Sequence, residues 1–337
     1  MKKTVWCVLG CMLFFSVLLP GPVFAQRRKL TIKLASLVPE NTPWGDALNR
    51  MAGEWAQISN GEVELIIYHN GVAGTEVDAL RKLRLNQAQA AMLSSFSLDT
   101  IAPGIMTLSC PFLIRNNAEL DIVLETLKPE LERRISEKNF FPLAWSKVGW
   151  VRFFSKSPVF VPADLKSLKL GTDENDPAMI DAFKAMGYKM VPVAMNQVLI
   201  SLGSGMIEAM YQSPVNMAGT QAFGVAKHMA SIAIAPFMGC IVLNQTTWNR
   251  IPEQYRDALR QSARRMEAEL SVSIQELEQS VIKSMQKNGL IIHEINDAQQ
   301  QLWYDDVGRV IPSLLGSTFD RGMYQRIETI VKNQRGK

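Results

Sequence analysis

Residues 168–211, LKLGTDENDPAMIDAFKAMGYKMVPVAMNQVLISLGSGMIEAMY, decide the fold of this 337-residue chain. Short apolar runs of strand length alternate in this stretch with segments of helical periodicity. The strand-like and helical segments follow one another at 168–170, 177–186, 189–193, 196–202 and 206–211. Because parallel strands need a crossover connection, usually a helix, the alternation predicts an α/β unit with a parallel sheet.

The same alternation occupies the N-terminal part of the chain. Thr42 and Pro43 supply an N-cap and a first-turn proline for a helix, and the last strand of this unit ends in the polar pair Ser94 and Ser95. The predicted elements are strand 30–36, a helix from residue 43, strand 63–69, helix 76–86 and strand 90–94. We therefore predict two α/β lobes, the second beginning with a strand at 143–155.

A helical pattern from 252 to about 289 is unusually long for a globular domain. Its apolar stripe repeats mostly every three or four residues, at Tyr255, Leu259, Met266, Leu270, Ile274, Leu277 and Val281. The stripe falls short of four clean heptads, which argues against a dimerising coiled coil. We predict a helix that lies across both lobes.

The chain shows no Pro/Gly/Ser-rich linker between the two predicted lobes. Ordinary strands must then cross from one lobe to the other, and such strands act as a hinge. The predicted boundaries are 26–145 plus about 236–275 for lobe I, and 146–235 plus about 276–337 for lobe II.

Residues 1–25 have the features of a cleaved secretory signal. Lys2 and Lys3 precede an apolar run, and Ala25 ends a small-residue cleavage site. The apolar run is too short and interrupted for a membrane anchor. Loss of this segment lowers the formal net charge from +4 to +2, which predicts neither a nucleic acid nor an acidic membrane as partner. We predict a periplasmic protein.

No motif indicates a metal, a cofactor or a catalytic centre. The three histidines, His69, His228 and His293, are scattered. The acidic run 173–176 precedes a helix and is typical of a solvated turn and helix N-terminus. Cys110 and Cys240, the two cysteines beyond the signal, fit either a disulfide bridge or two buried free thiols.

Seven segments, spread through nearly all of the chain beyond the signal, carry a resemblance to a known family. They are 32–35 with Pro43, 58–63, the G-x-x-G-x-E turn at 71–76, the P-F-L element at 111–113, 163–170, 191–195 and 201–212. Together they resemble the solute receptors of tripartite ATP-independent periplasmic (TRAP) transporters. The resemblance implies a two-lobed periplasmic-binding-protein-like (Venus flytrap) fold with hinge strands and a long spanning helix. It also implies capture of a small molecule in the cleft and delivery to a membrane permease driven by an ion gradient.

The chain departs from this family where the family anchors its ligand. Gly171 ends the segment 164–171, DLKSLKLG, at the place of a family arginine that clamps a carboxylate. Val151 takes the place of a second basic anchor. Arg152 is one residue away and faces the opposite side of the strand unless a bulge corrects the register. Gln212 stands at the place of a family asparagine. We therefore expect a hydrophobic ligand that no arginine pair clamps.

The candidate ligand-binding residues combine the ends of predicted strands with methionines and aromatic residues that could wall an adaptable apolar pocket. They are Trp44, Ser94, Ser95, Trp150, Arg152, Gly171, Met195, Met206, Met210, Tyr211, Gln212 and Met217.

Two alternatives stay open. In one, the ligand is a conventional organic acid held by a relocated basic residue, either Arg152 or a lysine of the first lobe. In the other, the chain is a periplasmic enzyme or scaffold that keeps the receptor fold. The expected partners are the TRAP membrane subunits, and some similar systems add a helical-repeat (TPR) protein.

Overall fold

The computed structural model describes residues 29–336, so the predicted signal 1–25 lies outside the described residues. The first part of the chain alternates strands and helices and ends in a long strand. Its elements are β1 (Leu30–Ala35), α1 (Pro43–Ile58), β2 (Val63–Tyr68), α2 (Glu76–Arg84), β3 (Ala90–Ser94), α3 (Ser95–Asp99), a 3₁₀ helix (Ile105–Ser109), α4 (Asn117–Ser136) and β4 (Phe140–Ser155).

The middle of the chain continues the alternation with shorter elements. These are α5 (Pro162–Ser167), β5 (Lys169–Asp173), α6 (Pro177–Ala185), β6 (Lys189–Val193), α7 (Val198–Ser204), β7 (Ala209–Gln212), α8 (Pro214–Gly219), β8 (His228–Ala230) and β9 (Ala235–Asn244), with 3₁₀ turns at Met195–Gln197 and Ala222–Gly224. The last part is mainly helical, with α9 (Gln245–Arg250), α10 (Glu253–Lys287), β10 (Ile291–His293), α11 (Asp297–Leu314) and α12 (Arg321–Arg335).

The strands form a mixed sheet in the order β2-β1-β3-β9-β4-β7-β5-β6, with β8 and β10 attached beside β4. β1 pairs in parallel with β2 and β3, and β5 pairs in parallel with β6 and β7. β9 and β4 join these two parallel groups through antiparallel pairs. We call the group around β1–β3 lobe I and the group around β5–β7 lobe II. The predicted α/β, two-lobed fold is confirmed.

Helix α10 connects the cores of the two lobes. Leu259, Met266 and Ile274 are buried with the α1 side of lobe I. Met285, near the end of the same helix, is buried among the apolar side chains of lobe II. The predicted helix across both lobes is therefore confirmed, with the predicted stripe as the buried face.

The C-terminal helices divide between the lobes. Trp303 of α11 stacks on Phe153 of β4, with ring centroids 5.3 Å apart, and its indole N–H donates to the Phe160 carbonyl at 3.0 Å. α12 instead packs against α4 in lobe I, and Arg335 there pairs with Glu119 at 2.8 Å. The predicted assignment of 276–337 to lobe II therefore differs from the packing of α12, whose apolar face is covered by α4.

Strand β4 carries a bulge where it passes from one lobe to the other. Its register with β9 shifts between Lys147 and Gly149. Gly149 has a φ of +117°, a conformation that side-chain-bearing residues rarely adopt. A Cβ on Gly149 would lie 2.9 Å from Glu278 Oε2 of α10. The same oxygen accepts a hydrogen bond from the Trp150 N–H at 3.2 Å, which ties the spanning helix to the crossing strand.

We expect Gly149→Ala to destabilise the protein by roughly 2–4 kcal/mol, because alanine is strained at this φ and its Cβ displaces Glu278. Urea unfolding followed by circular dichroism measures the loss. Gly53→Ala is the matched control, since Gly53 lies inside α1 with open space around it. There the change should stabilise by about 0.5–1 kcal/mol. Equal stability of the two variants would contradict the predicted strain of alanine at position 149.

Candidate functional site

A cavity of about 630 Å³ lies between the two lobes. Lobe I contributes Leu37 after β1, the turn 70–76 that leads into α2, and Ser94-Ser95 at the end of β3. Lobe II contributes the segment 172–176, and the crossing strands contribute residues such as Phe237. The cavity therefore sits where ligands bind in open α/β sheets, outside the carboxyl ends of the parallel strands.

Five of the candidate residues from the sequence line this cavity: Ser94, Ser95, Met195, Tyr211 and Gln212. Gln212 is 8% exposed, and its amide oxygen accepts from the Ser213 N–H at 2.8 Å and from Asn216 Nδ2 at 3.0 Å. These bonds leave the Gln212 NH₂ group directed at Met195 Sδ, 3.3 Å away. The one acceptor shown for this NH₂ group is therefore a thioether sulfur, which is a weak acceptor.

Four further candidates are core or surface residues. Trp44 is buried in the lobe I core that also contains α10 residues, and Met210 and Met217 are fully buried in lobe II. Met206 is 47% exposed and lies outside the cavity lining. Methionine and tryptophan are ordinary core residues, so their presence near strand ends could not identify the cavity wall.

The crossing strand β4 directs two candidates away from the cavity. The indole N–H of Trp150 donates to Asn117 Oδ1 at 2.8 Å. The Arg152 guanidinium donates to the Ser231 carbonyl and lies 3.5 Å from Glu278 Oε1. Val151, between them, lines the cavity. The bulge at Gly149 therefore leaves Arg152 on the far face, as the alternation of the strand predicts.

Gly171 also faces away from the cavity. A Cβ built there would lie 2.7 Å from Ile207 Cδ1 and 3.0 Å from Met210 Sδ, both in the core of lobe II. The next residue, Thr172, lines the cavity. An arginine side chain at 171 would therefore have to displace Ile207 and Met210 before it could reach the cleft.

Glu76 is a cavity residue that the candidate set lacks. Its Oε2 accepts hydrogen bonds from the Ser94 N–H at 3.1 Å, from Ser94 Oγ at 2.7 Å and from Ser97 Oγ at 2.5 Å. Burial raises the pKa of this carboxyl, and the three hydrogen bonds oppose that rise. The signal for it was the glutamate that ends the G-x-x-G-x-E turn.

The acidic run 173–176 faces Glu76 across the cavity. Asp176 caps α6, with Oδ1 accepting from the Met179 N–H at 3.0 Å, so the expected helix N-terminus is present. Burial, followed by the charges of Asp173 and Glu76, raises the pKa of Asp176 to about 6. Its turn lines the cavity, which corrects the expectation of a merely solvated turn.

The residues that line the cavity include five carboxylates and, over the described part of the chain, no lysine, arginine or histidine. Lys82, the lysine that follows the turn 70–76, donates to the Ala73 carbonyl at 2.6 Å. Arg152 is held by Glu278. Among the described lining residues, none is therefore a cation that could clamp a carboxylate.

Cys110 and Cys240 are free and fully buried. Burial raises the pKa of both thiols, so neither is a thiolate near neutral pH. His228 and His293 lie together, with Nδ1 of the first 2.8 Å from Nε2 of the second, at the β8–β10 pair and outside the cavity lining. Within residues 29–336 there is no group of three or more potential metal-ligating side chains.

Comparisons with known proteins give a consistent result. The model of the family described as "Bacterial extracellular solute-binding protein, family 7" matches residues 34–315. A solute-binding protein of Chromohalobacter salexigens is 25% identical over 283 residues, which are 82% of this chain and 84% of that protein. The 2,3-diketo-L-gulonate-binding periplasmic protein YiaO of Escherichia coli is 24% identical over 269 residues, 78% of this chain and 80% of its own.

Solved structures share the fold. A TRAP periplasmic solute-binding protein of Chromohalobacter salexigens with bound D-glucuronate superposes with a TM-score of 0.81 at 22% identity, covering 89% of this chain and 99% of its own. One from Pseudomonas aeruginosa with bound L-malate gives a TM-score of 0.77 at 17% identity, covering 84% of this chain and 99% of its own. As for membrane insertion, none of the helices in residues 29–336 has the length and apolar character needed to span a bilayer.

We expect Asp176→Asn to stabilise the protein more at pH 7.5 than at pH 4.5. The raised pKa means that ionising Asp176 costs folding free energy, and this cost grows as pH rises from about 4 through about 6. Asparagine keeps the N-cap without the charge. After allowance for solvent in the cleft, the difference between the two pH values should be about 1–2 kcal/mol.

Thermal and urea unfolding of variant and wild type at both pH values measures this difference. Asp181→Asn, an exposed acid on the same helix, is the matched control and should show almost none. A larger stabilisation at pH 4.5 than at pH 7.5 would contradict the raised pKa of Asp176.

Proposed function

The chain belongs to bacterial extracellular solute-binding protein family 7, and from this premise we propose that it is the periplasmic receptor of a TRAP-type secondary transporter. In this proposal it captures a small organic molecule between its lobes and delivers it to the membrane subunits. The observation that carries the proposal is the cavity of about 630 Å³, which has room for a small ligand and is lined from both lobes.

The connections between the lobes support a receptor that closes on its ligand. β4, β9 and α10 join lobes I and II without a flexible linker. A ligand that contacts Ser94 on one side and Gln212 on the other binds the closed form better than the open form. It therefore shifts the equilibrium towards closure. The membrane subunits can then recognise the closed form.

A binding role is favoured over an enzymatic one. Ser94 Oγ and Ser97 Oγ both donate to the Glu76 carboxylate. No histidine or lysine among the described lining residues stands beside a serine as a general base. The serine hydroxyls are therefore positioned as hydrogen-bonding groups.

The class of ligand is the finer part of the proposal. Two structural relatives hold D-glucuronate and L-malate, which favours an organic acid. The lining of this cavity argues differently, because Arg152 is bound to Glu278 on the far face of β4 and carboxylates replace cations in the cleft. Phe96, Met195 and Phe237 add apolar wall. We propose a ligand with an apolar portion and no carboxylate clamp.

The partners follow from the transporter class. The proposal requires the TRAP integral membrane subunits, and a helical-repeat (TPR) protein stays a prediction from the sequence resemblance. The predicted cleaved signal would deliver the chain to the periplasm.

Purification from the native host under mild conditions, followed by native mass spectrometry, tests the function. We expect a single small organic molecule at close to one per chain, released on unfolding. X-ray scattering should then show a more compact particle with ligand than without it. A chain that neither retains nor gains a small molecule in the native host's extract would contradict the receptor role.

A pair of methionine variants tests the position of the site. Met195→Ala should weaken binding of the retained ligand by roughly tenfold, since it removes a cavity wall and the partner of Gln212. Met206→Ala should leave the affinity unchanged, because Met206 lies on the surface outside the cavity. Calorimetry measures both, and equal loss in the two variants would place the ligand elsewhere.

A further inference from the structure

The cleft presents negative charge from both lobes without a balancing cation. Glu76 and Asp78 come from lobe I, and Asp173, Glu174 and Asp176 come from lobe II. Asp78 is accounted for locally, because its carboxylate pairs with Arg81 at 2.9 Å and closes the α2 capping box. Glu174 is exposed at the rim. Glu76, Asp173 and Asp176 remain without an ion-pair partner among the described residues.

The structural duties of these acids use only part of each carboxylate. Asp176 Oδ1 caps α6, and Asp176 Oδ2 accepts no hydrogen bond from the described residues. Glu76 Oε2 takes the three donors from Ser94 and Ser97, while Glu76 Oε1 takes none. A neutral serine or asparagine would cap α6 equally well. The helix dipole also favours a negative charge at this N-terminus, and neither role occupies Asp176 Oδ2.

The two lobes repel each other electrostatically across the cavity. Burial is the main cause of the raised pKa of both Glu76 and Asp176; the charge of Asp173 adds to the rise at Glu76, and the charge of Glu76 adds to the rise at Asp176. Like charges brought into a desolvated cleft disfavour the ionised forms, and closing the cleft increases this effect. A ligand that carries positive charge removes the repulsion and gains strength from the same desolvation.

Tyr211 is an independent sign of a polar ligand group at this place. Its side chain is 7% exposed and lines the cavity. Its ring packs against Phe153 and Phe183, with centroids 5.8 and 5.0 Å away, while its hydroxyl forms no hydrogen bond with any described residue. Burial and the charge of Asp176 raise the pKa of that hydroxyl. The hydroxyl is not one of the buried unpartnered atoms, so it is accessible from the cavity and can hydrogen-bond to a ligand there.

We propose that the solute carries a protonated nitrogen, an ammonium or amidinium group, that binds between Glu76 of lobe I and Asp176 of lobe II. Its apolar portion lies against Met195 and Phe237, and Tyr211 supplies a hydroxyl to a polar group of the ligand. This inference rests on the proposed receptor function and names its substrate class. N–H donors on a cation match the free carboxylate oxygens on both sides.

A matched pair of small probes tests whether binding depends on a positive charge in the ligand. The purified full chain is titrated by calorimetry and thermal shift with 2-phenylethylamine and its neutral isostere 2-phenylethanol. Agmatine, D-glucuronate and L-malate complete the set. We expect the amines to raise the unfolding midpoint and 2-phenylethylamine to bind at least tenfold tighter than 2-phenylethanol. The two acids should produce no shift.

Variants that neutralise Asp176 or Glu76 test whether these carboxylates bind the positive group of the ligand. Asp176→Asn keeps the helix cap and should bring the amine-to-alcohol affinity ratio close to one, as should Glu76→Gln if it folds normally by circular dichroism. Asp181→Asn, outside the cavity, should keep the wild-type ratio. Binding of D-glucuronate or L-malate in preference to the amines, or an unchanged ratio in Asp176→Asn, overturns the amine inference and leaves the receptor function standing. If no probe binds and native mass spectrometry finds no retained small molecule, both the amine inference and the receptor function are contradicted.

Discussion

Strand β4 has to pair with the sheets of both lobes, and much of the structure depends on that constraint. Its first part pairs with β9, and its last part pairs with β7 and β8. The bulge at Gly149 lies close to the point where pairing with β9 gives way to pairing with β7, and a β-bulge bends its strand. Glu278 of α10 fixes this point by accepting the Trp150 N–H and pairing with Arg152. The crossing strand and the spanning helix are thereby held together where β4 passes from one lobe to the other.

This same contact decides the chemistry of the cleft. Glu278 is 8% exposed, so it needs a cationic partner, and Arg152 is the one it has. Burial raises the pKa of Glu278 and the Arg152 charge opposes the rise. Moving Arg152 into the cavity would leave Glu278 buried and unpaired, which is costly. The structural use of the arginine is therefore the reason that it is not a ligand anchor in this arrangement.

The sequence predicts those parts of the fold that local periodicity determines. The strand–helix alternation of 168–211 gave β5, α6, β6, α7 and β7 within a few residues, and the apolar stripe located α10. The return of α12 to lobe I was not predictable, since an amphipathic helix shows that it buries a face but not which surface covers it. The ends of β3 and β7 line the cavity, and this placement is predictable because ligands bind outside the carboxyl ends of strands in α/β sheets. Among the methionines, the sequence does not distinguish Met195, which lines the cavity, from Met210 and Met217, which are core residues of lobe II.

Gly171 is explained by core packing in lobe II rather than by the ligand site. Its missing side chain makes room for Ile207 and Met210 in the core of lobe II rather than for ligand in the cleft. With core packing at that position and Arg152 committed to Glu278, both candidate cation positions serve the scaffold. The charges that do face the cavity are carboxylates from opposite lobes. Under the proposed receptor function, their repulsion would favour an open form without ligand, and neutralisation by the solute would then govern both selectivity and closure.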